Sequence, residues 1–204
     1  QGIKRVVQLF VAFENAFDLI VARSWQGHLS NRRSDQNRYC RSNRLAFGSM
    51  SNRQRWEKLD AVTNYTQLVS LVNPHRDRYR KLNLTNITNP QRPSTCEFRH
   101  HGGVKELLQA EAWVRLVVRF CQQACQETAN RYILPEESTP EHELEALFRL
   151  IDCDGLAQFF VTEKRLFGPP SSKQLRNEWE CHTCHRQFGN SRALAQHTSM
   201  TGHS

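Results

Sequence analysis

The 204-residue chain lacks a long apolar run. Its most hydrophobic stretch, Val6 to Ala22, is interrupted by Gln8, Glu14, Asn15 and Asp18. A membrane-spanning helix needs ~20 predominantly apolar residues, so neither a span nor a membrane partner is expected. Proline and glycine are also scarce, at seven and nine residues, which together with eleven phenylalanines excludes a collagen-like or low-complexity chain. Carboxylates are short in the first half. Residues 1–100 hold 17 Lys and Arg against 7 Asp and Glu, whereas the remainder holds 11 against 13. What is present, 38% apolar residues, suffices for one ordinary core and a small appendage.

The excess positive charge concentrates in residues 23–58. Arg32, Arg33, Arg38, Arg41, Arg44, Arg53 and Arg55 fall in a stretch poor in periodicity, which reads as a long basic loop attractive to phosphates or as solvated surface. Of the seven cysteines only Cys181 and Cys184 have metal-site spacing. Cys40, Cys96, Cys121, Cys125 and Cys153 are scattered and read mostly as small core residues, favouring a reducing, intracellular setting with cytoplasm and nucleus both open. Asn64, Asn83 and Asn86 begin Asn-x-Thr triplets that are expected to be unused. Gln1 in place of methionine suggests a processed or incomplete chain.

Hydrophobic periodicity predicts one long helix over Ile3 to Ala22, with Ile3, Val6, Val7, Phe10, Phe13, Phe17, Ile20 and Val21 on its apolar face. Alternation from Tyr79 predicts a half-buried strand with Leu82 and Leu84 on one face and Lys81, Asn83 and Thr85 on the other. A second strand, Thr95 to His100, sets Cys96 and Phe98 against Glu97 and Arg99. Val104 to about Thr128 reads as an amphipathic helix with Leu107, Leu108, Trp113, Val114, Val117, Phe120, Cys121 and Ala124 forming its stripe. Thr139 and Pro140 are the N-cap and first residue of another, burying Leu144, Leu147, Phe148 and Ile151. Gly155 to Phe167 is expected to be a short helix. Gly168-Pro169-Pro170-Ser171-Ser172 opens a linker, 168–177.

The final segment, 178–204, carries Cys181-x2-Cys184-x12-His197-x5-His203. Two thiolates on a turn and two imidazoles on a helix converge tetrahedrally on Zn²⁺. Trp179, Phe188 and Leu194 occupy the three apolar minicore positions of a ββα C2H2 finger, so a structural zinc is expected at Cys181, Cys184, His197 and His203. One finger spans about three base pairs, too few for sequence-specific DNA binding by itself. Its partner, nucleic acid or protein, stays open.

The stretch Arg78-Tyr79-Arg80-Lys81-Leu82-Asn83-Leu84, then Cys96-Glu97-Phe98-Arg99-His100-His101-Gly102-Gly103 and a Trp113-bearing helix, resembles the amidoligases. These are ATP-dependent carboxylate-amine ligases of glutamine synthetase-like fold. Their motif, approximately Glu-Phe-Arg-Gln-His-x-Gly-Thr, is kept at Glu97, Phe98, Arg99, His101 and Gly103 and departs at His100 and Val104. The resemblance covers most of residues 8–167 and implies an α+β fold for 1–167, the C-terminal half of such a domain. It implies ATP, Mg²⁺, and carboxylate and amine substrates. It also implies catalytic roles for Glu97, Arg99 and His101, and phosphate contacts from Arg32, Arg33 and Arg99. The family's opening acidic strand, Gly-x-Glu-x-Glu, has no counterpart here, which leaves the magnesium short of carboxylates. Two other readings compete: a nucleic-acid binder in which the basic stretch and the finger act together, and an inactive ligase fold used as an interaction scaffold. For Glu97 and Arg99 the ordinary alternative is a cross-strand ion pair at a sheet surface, worth ~0 to 1 kcal/mol.

Overall fold

A computed structural model describes residues 2–22, 39–102, 107–126, 138–164, 196–197 and 199–200. The chain divides into two compact units, Gln1–Leu166 and Phe167–Ser204. In the second, residues 196–197 and 199–200 are helical. The linker, and the finger's Trp179, Phe188 and Leu194, lie outside the described residues.

The first unit is a mixed domain, mainly helical with a small two-stranded sheet. Its helices are α1 (Gly2–Ala12), α2 (Glu14–Ala22), α3 (Asn52–Asp60), α4 (Tyr65–Val72), α5 (Leu107–Ala124), α6 (Pro140–Ile151) and α7 (Asp154–Lys164). The strands β1 (Leu82–Asn83) and β2 (Glu97–Phe98) pair antiparallel, Leu82 opposite Phe98 and Asn83 opposite Glu97. No described helix is long and apolar enough to cross a membrane.

The expected single helix over residues 3–22 is interrupted at Phe13, and the cause is a wedge of polar side chains. Arg44 donates to the carbonyls of Val11 and Ala12, both at 2.7 Å, and pairs with Glu143 at 2.9 Å. Glu143 in turn accepts from the Asn15 backbone N–H at 3.0 Å and its amide at 2.9 Å. The helical ladder is thus handed to a guanidinium on one side and a carboxylate on the other, a recognised origin of helix breaks. Both halves remain buried. Phe10, Phe13 and Phe17 are fully enclosed, and Leu9, Val11 and Ala16 are buried beyond the predicted face.

The basic stretch is not structureless from residue 39 onward. Arg44–Phe47 forms a 3-10 turn, and Ser51 and Gln54 close a capping box that starts α3. Four of its arginines are committed internally: Arg41 to Asp77, Arg44 to Glu143, Arg53 to Glu57, and Arg55 to Asn52. Arg32, Arg33 and Arg38 lie outside the described residues.

The strand expectation also needs correction, because β1 is buried on both faces. Leu82 and Leu84 face the core, while Lys81 and Asn83 on the opposite side are 0% and 4% exposed. Two asparagine side chains complete what this two-residue ladder cannot. Asn43 accepts from Leu82 N–H at 2.8 Å and donates to Leu82 C=O at 2.9 Å. Asn73 accepts from Leu84 N–H at 3.0 Å. Each primary amide substitutes for a missing strand and keeps buried backbone groups paired.

In α5 the buried stripe is Ala112, Leu116, Phe120 and Ala124, a strict four-residue spacing. Of the predicted face only Phe120 and Ala124 are buried. Leu107, Leu108 and Val114 are exposed, because the helix meets α1, α6 and α7 along a narrower line than its apolar residues would cover. Helix α6 starts at the expected Thr139 cap, whose hydroxyl accepts from His142 N–H at 3.3 Å, with Pro140 first. Its Leu144, Leu147 and Ile151 are buried, whereas Phe148 is only half-buried. Its last carbonyls, Ile151 and Asp152, accept from Arg119 at 3.2 and 2.8 Å.

Candidate phosphate-binding pocket

Strand β2 separates two chemistries by alternation. Phe98 and His100 point into an aromatic cluster with Phe10 (ring centroids at 5.7 and 5.2 Å), and Phe17 meets Phe120 edge-on at 5.2 Å. This apolar anchoring fixes the register of the strand. Glu97 and Arg99 consequently share the other face, where Glu97 accepts from Arg99 at 2.9 Å and from the Asn83 amide at 3.0 Å. The ion pair does not cross between strands as expected; it joins residues two apart in one segment, Glu97 in β2 and Arg99 just beyond it.

Both residues line a polar pocket of about 420 Å³ to which Arg76, Arg78 and Arg92 also belong. Sequence reasoning missed these three as site residues. The available signal was their position, just before β1 and within the loop to β2, where a short hairpin gathers its own flanks. The loop is a chain of turns: Asn89 N–H donates to Asn86 C=O at 3.1 Å, and Arg92 N–H to Asn89 C=O at 3.2 Å. Asn83, Asn86 and Asn89 therefore face the same cavity.

The approach to β1 is strained. His75 and Arg76 both take left-handed backbone angles, φ 57° and 56°, without being glycine. Such residues cost on the order of 1–3 kcal/mol each, and strain of this kind collects at binding sites. Here it aims the Arg76 side chain at the Thr85 carbonyl, 3.3 Å away on the pocket wall.

Electrostatics divide cleanly across this region. Asp77, the nearest carboxylate in sequence, is taken by Arg41 at 2.5 Å and Arg80 at 3.0 Å. Partial burial pushes the Glu97 carboxyl up, but the Asn83 hydrogen bond and the charges of Arg99 and Arg78 outweigh it and hold the group below the ordinary glutamate value. Glu97 stays anionic at neutral pH. The pocket then holds four guanidiniums against one carboxylate.

His101 is not on this wall. Its ring packs on Trp113 at 4.7 Å, and Nδ1 lies 2.7 Å from the Gly102 carbonyl oxygen. Glu97 and Arg99 are thus brought together and His101 is set apart. Arg32 and Arg33 lie outside the described residues, as do the zinc-type Cys181, Cys184 and His203; His197 lies on the described helical residues 196–197. The donor set of two thiolates and two imidazoles suits Zn²⁺. A magnesium ion fits the pocket poorly, since it prefers several hard oxygens and Glu97 is already held by Arg99 and Asn83. Among the described residues no three His, Cys, Asp or Glu side chains come together to hold a metal.

The remaining cysteines differ in setting. Cys40 is buried, with its thiol 3.5 Å from the Arg99 carbonyl, and burial, then Cys96 and Cys125, pushes the Cys121 thiol up to about 12. The Cys121 thiol therefore stays protonated and unreactive at neutral pH. The Asn83 amide that would accept a sugar is buried.

No family model, curated protein or solved structure matches this chain.

Proposed function

We propose that the chain joins a C2H2 zinc finger, residues 178–204, to an amidoligase-like body that handles a phosphorylated ligand in carboxylate-amine ligation. The observation that carries the reading is the pocket itself: Glu97 on β2 paired with Arg99 just beyond the strand, with an arginine-rich wall. Ligation requires the carboxylate to be activated as an acyl phosphate, and ATP supplies that phosphoryl group. Arg99 would hold the ligand's phosphate oxygens through its planar fork, and its neighbours would neutralise charge. Glu97 fixes Arg99 in place. The acidic residues for magnesium are not supplied by this pocket. Zinc at Cys181, Cys184, His197 and His203 folds the finger, which contacts nucleic acid or a protein partner.

Two measurements test this reading. Isothermal titration with Mg-ATP should give binding to the wild-type chain that Arg99→Lys weakens without changing the melting temperature, because an ammonium cannot replace the guanidinium fork. Equal affinities would reduce the pair to a surface contact. Cobalt substitution should give a tetrahedral S2N2 spectrum that Cys184→Ala abolishes; an unchanged spectrum would remove the zinc assignment.

A further inference from the structure

The ligase resemblance involves one arginine of the pocket in phosphate binding, but the geometry involves three more. Arg76 and Arg78 precede β1, Arg92 lies in the loop between the strands, and Arg99 follows Glu97, so the four cations reach one cavity from separate segments. Their surroundings offer almost no neutralisation. Asp77 is occupied by Arg41 and Arg80, and Glu97 by Arg99 and Asn83. Arg76, Arg78 and Arg92 have no carboxylate within 4 Å among the described residues.

Like charges gathered around a concave site of about 420 Å³ raise its potential and favour an anion large enough to touch several of them. A single phosphate can engage one or two guanidiniums. An oligophosphate presents consecutive oxyanions and can bridge arginines from the two flanks of the hairpin, each through charge-assisted hydrogen bonds. A bridging dication has no comparable place here. The only carboxylate among the described residues that line it, Glu97, is held by Arg99 and Asn83 and is ringed by positive charge.

We infer that Arg76, Arg78, Arg92 and Arg99 form a metal-independent site for an oligophosphate group, carried either by free polyphosphate or by a nucleotide. The inference rests on the pocket and does not require that the domain be a ligase.

The test uses the full 204-residue zinc-loaded protein and isothermal titration with sodium tripolyphosphate in magnesium-free buffer, repeated with ATP and with added magnesium. Tripolyphosphate should bind without magnesium, and Arg78→Gln or Arg92→Gln should each weaken it roughly tenfold, the worth of one charge-assisted contact. Both side chains are exposed, and although Arg78 lies over the Tyr79 ring at 5.4 Å, neither substitution opens the core. Tighter binding of ATP than tripolyphosphate identifies a nucleotide as the source, and equal binding identifies the phosphate chain alone; either supports the site. Binding that appears only with magnesium overturns it, as does tripolyphosphate affinity unchanged in both variants. Binding confined to a single-stranded oligonucleotide would also overturn it, in favour of a nucleic-acid surface. Failure of the ligase reading looks different: tripolyphosphate would bind and be weakened in both variants while the wild-type chain showed no affinity for Mg-ATP.

Discussion

Two sets of cations in this domain are treated in opposite ways. Lys81 is wholly buried and lies 3.1 Å from Glu14 and 2.6 Å from Asp18, while Arg44 is seated between helix carbonyls and Glu143. A few residues away, Arg76, Arg78 and Arg92 crowd a pocket with hardly any carboxylate for company. Burial accounts for the difference. A charge removed from water must bring its counter-charge with it, whereas a solvated cation can wait for a ligand to supply one. The inner set shapes the domain and the outer set gives it something to bind.

The largest effect expected from breaking this contrast is at Lys81. Lys81→Met leaves Glu14 and Asp18 facing each other without their shared cation and should cost about 3–5 kcal/mol in urea unfolding. A loss below about 1 kcal/mol would mean that water reaches the cluster and that burial is not the governing variable.

Next is Asn43, which supports β1 without carrying charge. Asn43→Ala strips the side-chain partner from the Leu82 N–H and one of the two donors from its C=O, which keeps the Asn73 amide at 3.2 Å, and should cost about 2–3 kcal/mol, with faster amide exchange at Leu82. Unchanged exchange there would show that the strand does not need its side-chain surrogate.

A smaller effect is expected at Glu143. Burial raises its carboxyl above the ordinary value of 4.5, opposed by the charge and hydrogen bond of Arg44 and the bonds from Asn15. A raised acid holds its proton in the folded state after the unfolded chain has released it. Its stabilisation is therefore full below the unfolded pKa and is lost as pH rises through the folded one. Urea midpoints from about pH 4 to about pH 7 should show this decline, and Glu143→Gln should flatten it. A slope of opposite sign would mean that the Arg44 pair outweighs burial.

The smallest stability change sharpens the comparison. Arg78→Gln and Arg92→Gln should shift unfolding by no more than about 0.5 kcal/mol while weakening polyanion binding. A large loss of stability would return these residues to the structural set.

Much of the scaffold is legible in the sequence because its signals are local. The Thr139-Pro140 start of α6 depends on one hydroxyl and one ring, and the division of β2 into Phe98 and Glu97 faces depends only on alternation. The apolar stripe of α5 was less legible. Its apolar residues exceed what one contact line can bury, so composition alone could not tell Leu116, which is enclosed, from Leu108, which is exposed. Likewise, Arg44 in an arginine-rich stretch resembles its neighbours until a carboxylate 99 residues away meets it.

The sequence by itself determined the later helices α5, α6 and α7, the two-faced β2, the adjacency of Glu97 and Arg99, and the spacing of a zinc-type tetrad, because each depends on residues close together in the chain. Tertiary structure alone decided that Lys81 is interior, that Arg44 and Glu143 interrupt the first helix, that His101 lies against Trp113, and that Arg76, Arg78 and Arg92 share a cavity with Arg99. The physical reason is common to these cases. Desolvation and Coulomb energy depend on distance through space, and a charged side chain's role is fixed only when its surroundings are.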